Sequence, residues 1–206
     1  MFTGIIEQTH QILDIQSKGK NVDFFLNSPI LGELKIDQSI AHNGVCLTVT
    51  EIEEKGYWVT AVDETLKKTN LRHWKVGNRI NIERSLKAGD RLDGHMVQGH
   101  VDTMAICKER KEVDGSWLFS FEFPSKHQLL LVDKGSICIN GVSLTVIEAQ
   151  SDTFSVTIIP YTYEFTNFSD LMTGDKVNLE FDVLGKYIQR MLNPYLEKLS
   201  PKYSSQ

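Results

Sequence analysis

The sequence predicts an all-β protein, two small closed or nearly closed barrels in tandem followed by one helix. Three observations carry this expectation. The segment Asn-Gly-Val-(Cys/Ser)-Leu-Thr-Val occurs twice, at residues 43–49 and 140–146. The offset of 97 residues then persists without a gap: Thr60 maps to Thr157, Thr65 to Thr162, Asn70 to Asn167, Asn81 to Asn178 and Glu83 to Glu180. Upstream, Gly4-Ile5-Ile6-Glu7 overlays Gly99-His100-Val101-Asp102 at an offset of 95, so a two-residue indel lies between the two registers. A repeat this long is a small domain, not a solenoid unit. Finally, short runs rich in β-branched and aromatic residues, bounded by Gly, Asn or Lys-Gly, recur through both copies. That pattern fits a barrel better than a βαβ sheet.

In chain order, the first copy is expected to hold strands at 21–26, 39–42, 45–52, 57–62 and 79–83, with a helical turn at 65–71. Residues 85–91 (Ser-Leu-Lys-Ala-Gly-Asp-Arg) form the joint. The second copy opens on Gly94-His95 and repeats the plan: a strand at 117–123, a hairpin over 136–146, and strands at 154–160 and 176–181. A short helix within 125–133 is placed over one barrel end. The expected units are therefore 1–90, 91–182 and a tail, 183–206. In the tail, Leu184, Tyr187, Ile188, Met191, Leu192, Tyr195 and Leu199 recur at three- and four-residue steps, the stripe of an amphipathic helix. Asn193-Pro194 is expected to kink or break it. The stripe either packs on its own barrel or joins copies of the chain.

Asn-Gly between alternating apolar residues is a hairpin signal, because a type I′ turn needs positive φ at both central positions. Beyond the turn, Val45, Leu47 and Val49 share one face, as do Val142, Leu144 and Val146. The opposite face carries Cys46 and Thr48 in one copy and Ser143 and Thr145 in the other. An ordinary half-buried strand shows such alternation. Small hydroxyl and thiol groups in both copies, where Lys or Glu would serve solubility, point instead to a ligand-facing surface.

A hydrophobic share of 41% and a charged share of 24% are those of an ordinary globular domain. The net charge of −5 speaks against a nucleic-acid or anionic-membrane partner. No apolar run reaches the length of a membrane span, and the N-terminal residues lack the pattern of a signal peptide. Cys46, Cys107 and Cys138 form no CxxC pair and leave at least one thiol unpaired, which fits a reducing cytoplasm.

Three motifs in order, Met-Phe-Thr-Gly-Ile-Ile-Glu at 1–7, the paired NGV(C/S)LTV, and Val-Gln-Gly-His-Val-Asp at 97–102, resemble riboflavin synthase of the lumazine-dismutating, trimeric type over essentially the whole chain. The resemblance implies two Greek-key six-stranded β-barrels and a C-terminal helix that gathers three chains into a homotrimer. It implies a transferase of riboflavin biosynthesis that dismutates two molecules of 6,7-dimethyl-8-ribityllumazine. A four-carbon unit passes between them, giving riboflavin and 5-amino-6-ribitylamino-pyrimidinedione, with no metal or redox cofactor. Lumazine synthase is the further partner it brings into view.

Two copies of one substrate need two related sites, and one giving while the other receives needs the sites to differ. Cys46 stands opposite Ser143, His42 opposite Ile139 and Ile5 opposite His100. The resemblance makes His100 a proton carrier and Cys46 a nucleophile or weak acid, with Ser143 and Thr145 bonding the substrate or an attacking oxygen. For the bare sequence, Cys46 as a small buried hydrophobe and His100 as a structural histidine stay open. Ser39 and Asp182 join the catalytic set, although Asp182 could simply end a strand. The substrate positions carried over in the first barrel are Gly4, Ile5 and Ile6; Cys46, Leu47 and Thr48; and Thr60, Ala61, Val62, Asp63, Glu64 and Thr65. In the second they are Gly99, His100 and Val101; Ser143, Leu144 and Thr145; and Thr157, Ile158, Ile159, Pro160, Tyr161 and Thr162, with Lys134 reaching a neighbour's ligand. The site is expected between subunits, Cys46 and Thr48 of one chain meeting His100, Ser143 and Thr145 of another. Asp93 and Thr103 stand where the family usually has Gly, which bears on the loop geometry of the second barrel.

The nearest competing reading is a non-catalytic lumazine- or flavin-binding antenna protein on the same two barrels. The presence of Cys46, His100, Ser143 and Thr145 favours the enzyme. An oligonucleotide-binding pair of barrels would want a basic, aromatic groove, against which the acidic balance speaks.

Overall fold

The computed structural model describes residues 1–199, with side chains through Tyr195. The first copy contains β1 (Gln8–Lys18), β2 (Asn21–Asn27), β3 (Ser39–His42), β4 (Val45–Glu53), β5 (Gly56–Ala61), the short helix α1 (Asp63–Lys68) and β6 (Arg79–Arg84). The second contains β7 (Thr103–Val113), β8 (Ser116–Glu122), β9 (Ser136–Ile139), β10 (Val142–Ala149), β11 (Thr153–Ile158), α2 (Pro160–Phe165) and β12 (Lys176–Phe181), and α3 (Val183–Leu199) follows. Each copy closes into a six-stranded antiparallel barrel, in the order β1-β2-β5-β4-β3-β6 and the equivalent β7-β8-β11-β10-β9-β12. Even the irregularities repeat. One register shift falls between Ile12 and Asp14 and recurs between Cys107 and Glu109; another falls between Val49 and Glu51 and recurs between Val146 and Glu148. Bulges at matching places bend matching strands, which is how a closed barrel turns its corners. The indel lies between β2 and β3, where a 3-10 turn at Leu31–Glu33 becomes the longer Ser125–Leu130 in the second copy.

Three expectations change. Strands β1 and β7 are the longest in their barrels yet carry no clear alternation, because beyond their bulges most residues are exposed. Backbone pairing on both edges holds them where side-chain pattern does not. The stretch 154–160 is not one strand: β11 ends at Ile158, and Pro160 opens α2, where a missing N–H costs nothing. In the first copy β5 ends at Ala61, and Val62 is the last extended residue before α1. The tail helix does not break at Asn193-Pro194 but runs through Pro194; a proline removes a single backbone bond of the ladder. Its first turns touch the second barrel, with Val183 buried, Gly185 against Leu130, and the Lys186 ammonium 2.6 Å from Asp102. Leu184, Tyr187, Ile188, Met191, Leu192 and Tyr195 are all at least half exposed. The side chain of Leu199 and residues 200–206 lie outside the described residues. None of the described helices is long and apolar enough to cross a membrane.

The two Asn-Gly turns meet back to back. Asn43 and Asn140 both have φ of 46°, and Gly44 and Gly141 have φ of 76° and 84°, as the type I′ turn requires. A Cβ on either glycine would lie 2.8 Å from the backbone nitrogen of the other, so no side chain fits. Around this contact six asparagines form a reciprocal network. The Asn81 amide donates to the Asn140 carbonyl at 2.9 Å, and the Asn178 amide donates to the Asn43 carbonyl at 2.9 Å. The Asn81 amide oxygen accepts from the Asn167 N–H, and that of Asn178 from the Asn70 N–H, both at 2.7 Å. Each bond has its image in the other copy, so the barrels are related by an approximate two-fold axis through the turns.

Each barrel encloses its own apolar core, but the cores differ at one place. In the first, His10, His42 and Tyr57 are completely buried together. Their counterparts in the second are Ala105, Ile139 and Phe154. His42 Nδ1 lies 3.0 Å from the Ile40 carbonyl, which can only accept, so this nitrogen carries the proton. His42 Nε2, 2.8 Å from the Tyr57 hydroxyl, must then accept from it. The Tyr57 oxygen in turn accepts from His10 Nδ1–H at 3.1 Å, leaving His10 Nε2 buried without a partner among the described residues. Both rings are neutral: burial lowers His10 from its usual 6.5 to about 4, and burial and the neighbouring His10 lower His42 to about 3.

This trio predicts an acid-labile first barrel. Below pH 6.5 the unfolded chain takes up protons that the folded histidines refuse, so stability falls with pH, by about 2 kcal/mol per histidine at pH 5. Replacing the trio with its second-barrel counterparts (His10→Ala, His42→Ile, Tyr57→Phe) should flatten this dependence. Urea denaturation between pH 4.5 and 7.5, followed by tryptophan emission, measures it; identical slopes for the two proteins would refute the assignment.

Candidate functional site

The N-terminal segment of each copy crosses to the other barrel. Phe2 and Val97 pair as an antiparallel bridge, with mutual N–H to carbonyl bonds of 2.7 and 3.1 Å. Beyond it the chains diverge. The Ser143 N–H donates to the Gly4 carbonyl at 2.7 Å, and the Cys46 N–H donates to the Gly99 carbonyl at 2.9 Å. Gly4 and Gly99 have φ of 78° and 81°, and a Cβ on either would lie 2.6 Å from the Cβ of Ser143 or Cys46. Glycine is thus required at both crossings. Val101 packs on the first core and Ile6 on the second.

This exchange corrects the expected grouping. Gly4, Ile5 and Ile6 lie against the second barrel, not the first, and Gly99, His100 and Val101 lie against the first. The cause is the bridge between Phe2 and Val97, a tertiary pairing that no local pattern encodes. Cys46 and the segment bearing His100 consequently belong to one chain, contrary to the expectation that they come from two.

The first candidate site is then the outer face of β4 with its surroundings. Cys46 is half-buried and Thr48 exposed. Ser39, on β3, is the cross-strand partner of Thr48, so both hydroxyls line the same face. Thr60 is anchored, its hydroxyl donating to Asp23 at 2.6 Å. Leu47 and Ala61 point into the core and can meet a ligand only through their backbone, whereas Val62 is exposed. Asp63, Glu64 and Thr65 form the first turn of α1. His100 is exposed beside this barrel. His42, one of the residues separating the two copies, is not in the site at all but in the core trio.

The second site repeats the plan with other chemistry. Ser143 is half-buried, Thr145 exposed and cross-strand from Ser136, and Leu144 packs on the core. Thr157, Ile159, Pro160 and Tyr161 are exposed, Ile158 is buried, and Thr162 is half-buried in α2. That helix is fixed by Tyr163, whose ring stacks on Trp117 at 3.7 Å with 3° between planes and lies under the Arg110 guanidinium. The first copy uses the buried Leu66 at the same place. Lys134 occupies a left-handed turn at φ 63° with its side chain exposed, matching Asp37 in the first copy. Neither Asp93 nor Thr103 has positive φ, so neither position demands the glycine expected there.

One residue escaped the sequence reading. His95 is 8% exposed, and its Nδ1 lies 2.7 Å from the Ser143 hydroxyl oxygen. Burial lowers its pKa below the ordinary 6.5, and the Asp182 carboxylate pushes it back up. A neutral imidazole hydrogen-bonded to a hydroxyl is the pairing of a general base with the group it activates. His95 precedes the duplicated stretch and has no counterpart in the first copy, so the repeat could not mark it; only its place in the Gly94-His95 pair hinted at it. Asp182 also accepts from the Leu184 N–H at 2.9 Å, directly after β12 and at the start of α3.

The family model described as the lumazine binding domain matches this chain twice, at residues 3–85 and 98–182. The chain is 39% identical over 197 residues to riboflavin synthase of Photobacterium phosphoreum, covering 93% of this chain and 89% of that protein. It is 38% identical to the Bacillus subtilis enzyme, covering 94% and 90%, and 36% identical to that of Saccharomyces cerevisiae, covering 100% and 92%. Among solved structures it is similar to LumP complexed with 6,7-dimethyl-8-(1'-D-ribityl) lumazine, with a TM-score of 0.80 at 25% identity over 87% of this chain and 98% of that one. Two barrels of one lumazine-binding design, with full-length likeness to these enzymes, place the chain in the riboflavin synthase family.

Proposed function

We propose that this protein is a riboflavin synthase, converting two molecules of 6,7-dimethyl-8-ribityllumazine into riboflavin and 5-amino-6-ribitylamino-pyrimidinedione. The observation that carries the reading is one binding plan built twice with different reactive groups: Cys46 and His100 in the first site, Ser143 and His95 in the second. A dismutation needs this combination, two sites that each bind the same compound and differ in their chemistry towards it. Holding both reactants together removes much of the entropic barrier of a bimolecular step. The proton to be moved is on the C7 methyl of the lumazine, acidic because its carbanion delocalises into the ring, so a neutral imidazole is a sufficient base.

His95, kept neutral by burial, takes a proton through the Ser143 hydroxyl or an attacking water, and Asp182 stabilises the imidazolium that results. On the other side, His100 and Cys46 face the second lumazine, with Ser39, Thr48 and the backbone at 60–62 reading its ring edge. Protein mixed with 6,7-dimethyl-8-ribityllumazine should generate riboflavin absorbance without added metal or redox cofactor. A non-catalytic antenna protein on the same fold would bind the lumazine and leave it unchanged.

The charge of Asp182 gives a sharper measurement. The acid limb of kcat/KM reports the base losing activity as pH falls through its pKa. Asp182→Asn keeps a helix-capping side chain but removes the charge that raises His95, so the limb should move to lower pH. An unmoved limb would reduce Asp182 to a cap. His95→Gln should lower kcat about 100-fold or more.

We further propose a homotrimer, located in the cytoplasm, joined through the exposed stripe of α3, with each reaction centre between the first barrel of one chain and the second barrel of its neighbour, Lys134 reaching across. Association with lumazine synthase is the further partner proposal carried by the family alone. Mixed chains test the centre. Cys46→Ala combined with Ser143→Ala should recover roughly a quarter of wild-type activity by random assortment. Cys46→Ala combined with His100→Ala should recover none, because both damage the same half-site. Deletion from residue 184 onward should abolish both the recovery and the trimer in sedimentation; activity that survives it would place the centre within one chain.

A further inference from the structure

Two buried carboxylates sit under the crossings. Glu83 and Glu180 are equivalent in the repeat and are 5% and 2% exposed. One Glu83 oxygen accepts from the Thr3 N–H at 2.6 Å and the Thr3 hydroxyl at 2.7 Å, and the other from the Gly4 N–H at 2.9 Å. The Thr3 hydroxyl oxygen then accepts from the Ile5 N–H at 3.1 Å. In the second copy Gln98 replaces Thr3 and has no hydroxyl to relay. Glu180 accepts directly from the N–H groups of Gln98 at 2.6 Å, Gly99 at 2.9 Å and His100 at 2.8 Å. Each carboxylate therefore gathers three successive backbone donors of one tripeptide, one of them through Thr3 in the first copy. A carboxylate binds N–H donors more strongly than a neutral acceptor does.

The tripeptides so held are the ones that cross. Gly4 lies on Ser143 and Gly99 on Cys46, each at the limit of approach for backbone. We infer that Glu83 and Glu180 are positioning residues that act crosswise: Glu180, on the second barrel, sets the site of the first, and Glu83, on the first barrel, sets the site of the second. The reason is mechanical. A segment tethered by one barrel and pressed against the other transmits the tether's geometry to the site it touches. Any slack at Glu180 displaces His100 relative to Cys46, and slack at Glu83 displaces Gly4 and Ile5 relative to Ser143. Catalytic placement is sensitive to shifts of this order. Burial raises the pKa of both carboxyls above the ordinary carboxylate value, and the N–H bonds, with Lys186 for Glu180, hold back part of that rise.

The inference rests on the reading that Cys46 and Ser143 each face a bound lumazine, and the test separates the two. The probe is 6-methyl-7-trifluoromethyl-8-ribityllumazine, which has no C7 methyl proton to lose and so cannot start the dismutation; its fluorine NMR signal would report each bound environment. Cys46→Ser and Ser143→Ala identify which signal belongs to which barrel. Glu180→Gln should then move the Cys46-sensitive signal and weaken that site at least about tenfold, and Glu83→Gln should do so for the Ser143-sensitive one. In Glu→Gln an amide N–H₂ faces backbone donors. Should either variant fold poorly, Glu180→Asp and Thr3→Val should show the same crossed pattern at smaller amplitude. A response of each carboxylate in its own barrel, or of both sites equally with a lowered melting temperature, overturns the crosswise role. If wild-type protein gives no pair of separately assignable signals, the site reading fails and the crosswise role with it.

Discussion

The contact between the two Asn-Gly turns is the constraint on which the rest of the molecule depends. Where two backbones approach to the distance that Gly44 and Gly141 share, water is excluded and every N–H and C=O needs a partner. Asparagine suits the position because its amide both donates and accepts and because it tolerates positive φ. Asn43 and Asn140 use both properties at once, bending the turn and receiving the N–H groups of Asn81 and Asn178 at 2.7 and 2.9 Å. A shift of one barrel against the other would leave several buried amides unpaired together, so the network specifies a single relative orientation.

With that orientation held, the crossing of the N-terminal segments follows. The chain enters the first barrel only after lying across the second, and it repeats the manoeuvre on the other side. Neither candidate site is complete within its own repeat, because each includes three residues of the other. Duplication has thus produced two candidate sites that share backbone with each other, so that side chains could diverge while the backbone frame stayed equivalent. Cys46 became the counterpart of Ser143 and Ile5 that of His100 without disturbing a single strand register. His95, outside the repeat altogether, adds an imidazole against Ser143 on one side only.

The cores show a different kind of divergence. A buried neutral chain from His10 through Tyr57 to His42 occupies the place of Ala105, Phe154 and Ile139. The trio and the Ile40 carbonyl meet its hydrogen-bonding needs, save for His10 Nε2. Polar groups so arranged give little net stability, and their hydrogen bonds constrain how the side chains pack. The two barrels therefore share a shape without sharing their response to protons.

The amino-acid sequence by itself determined the duplication, the type I′ turns, and most strands to within a residue or two. Those features are written in local alternation and in the backbone demands of Asn-Gly. It also disclosed the family, through motifs in order, and hence Cys46, Ser143 and Thr145 as candidates. The long strands β1 and β7 were not legible, because half of each is exposed and held by pairing alone. His95 lacks a repeat partner, so no internal comparison could raise it. The assignment of Gly4–Ile6 and 99–101 to opposite barrels was decided only in three dimensions. It rests on the bridge between Phe2 and Val97 and on carbonyls meeting Ser143 and Cys46, contacts between residues tens of positions apart. A backbone bond of that kind is available to any residue type, so side-chain pattern does not record it; only the closed barrels, locked at their asparagines, bring its donor and acceptor together.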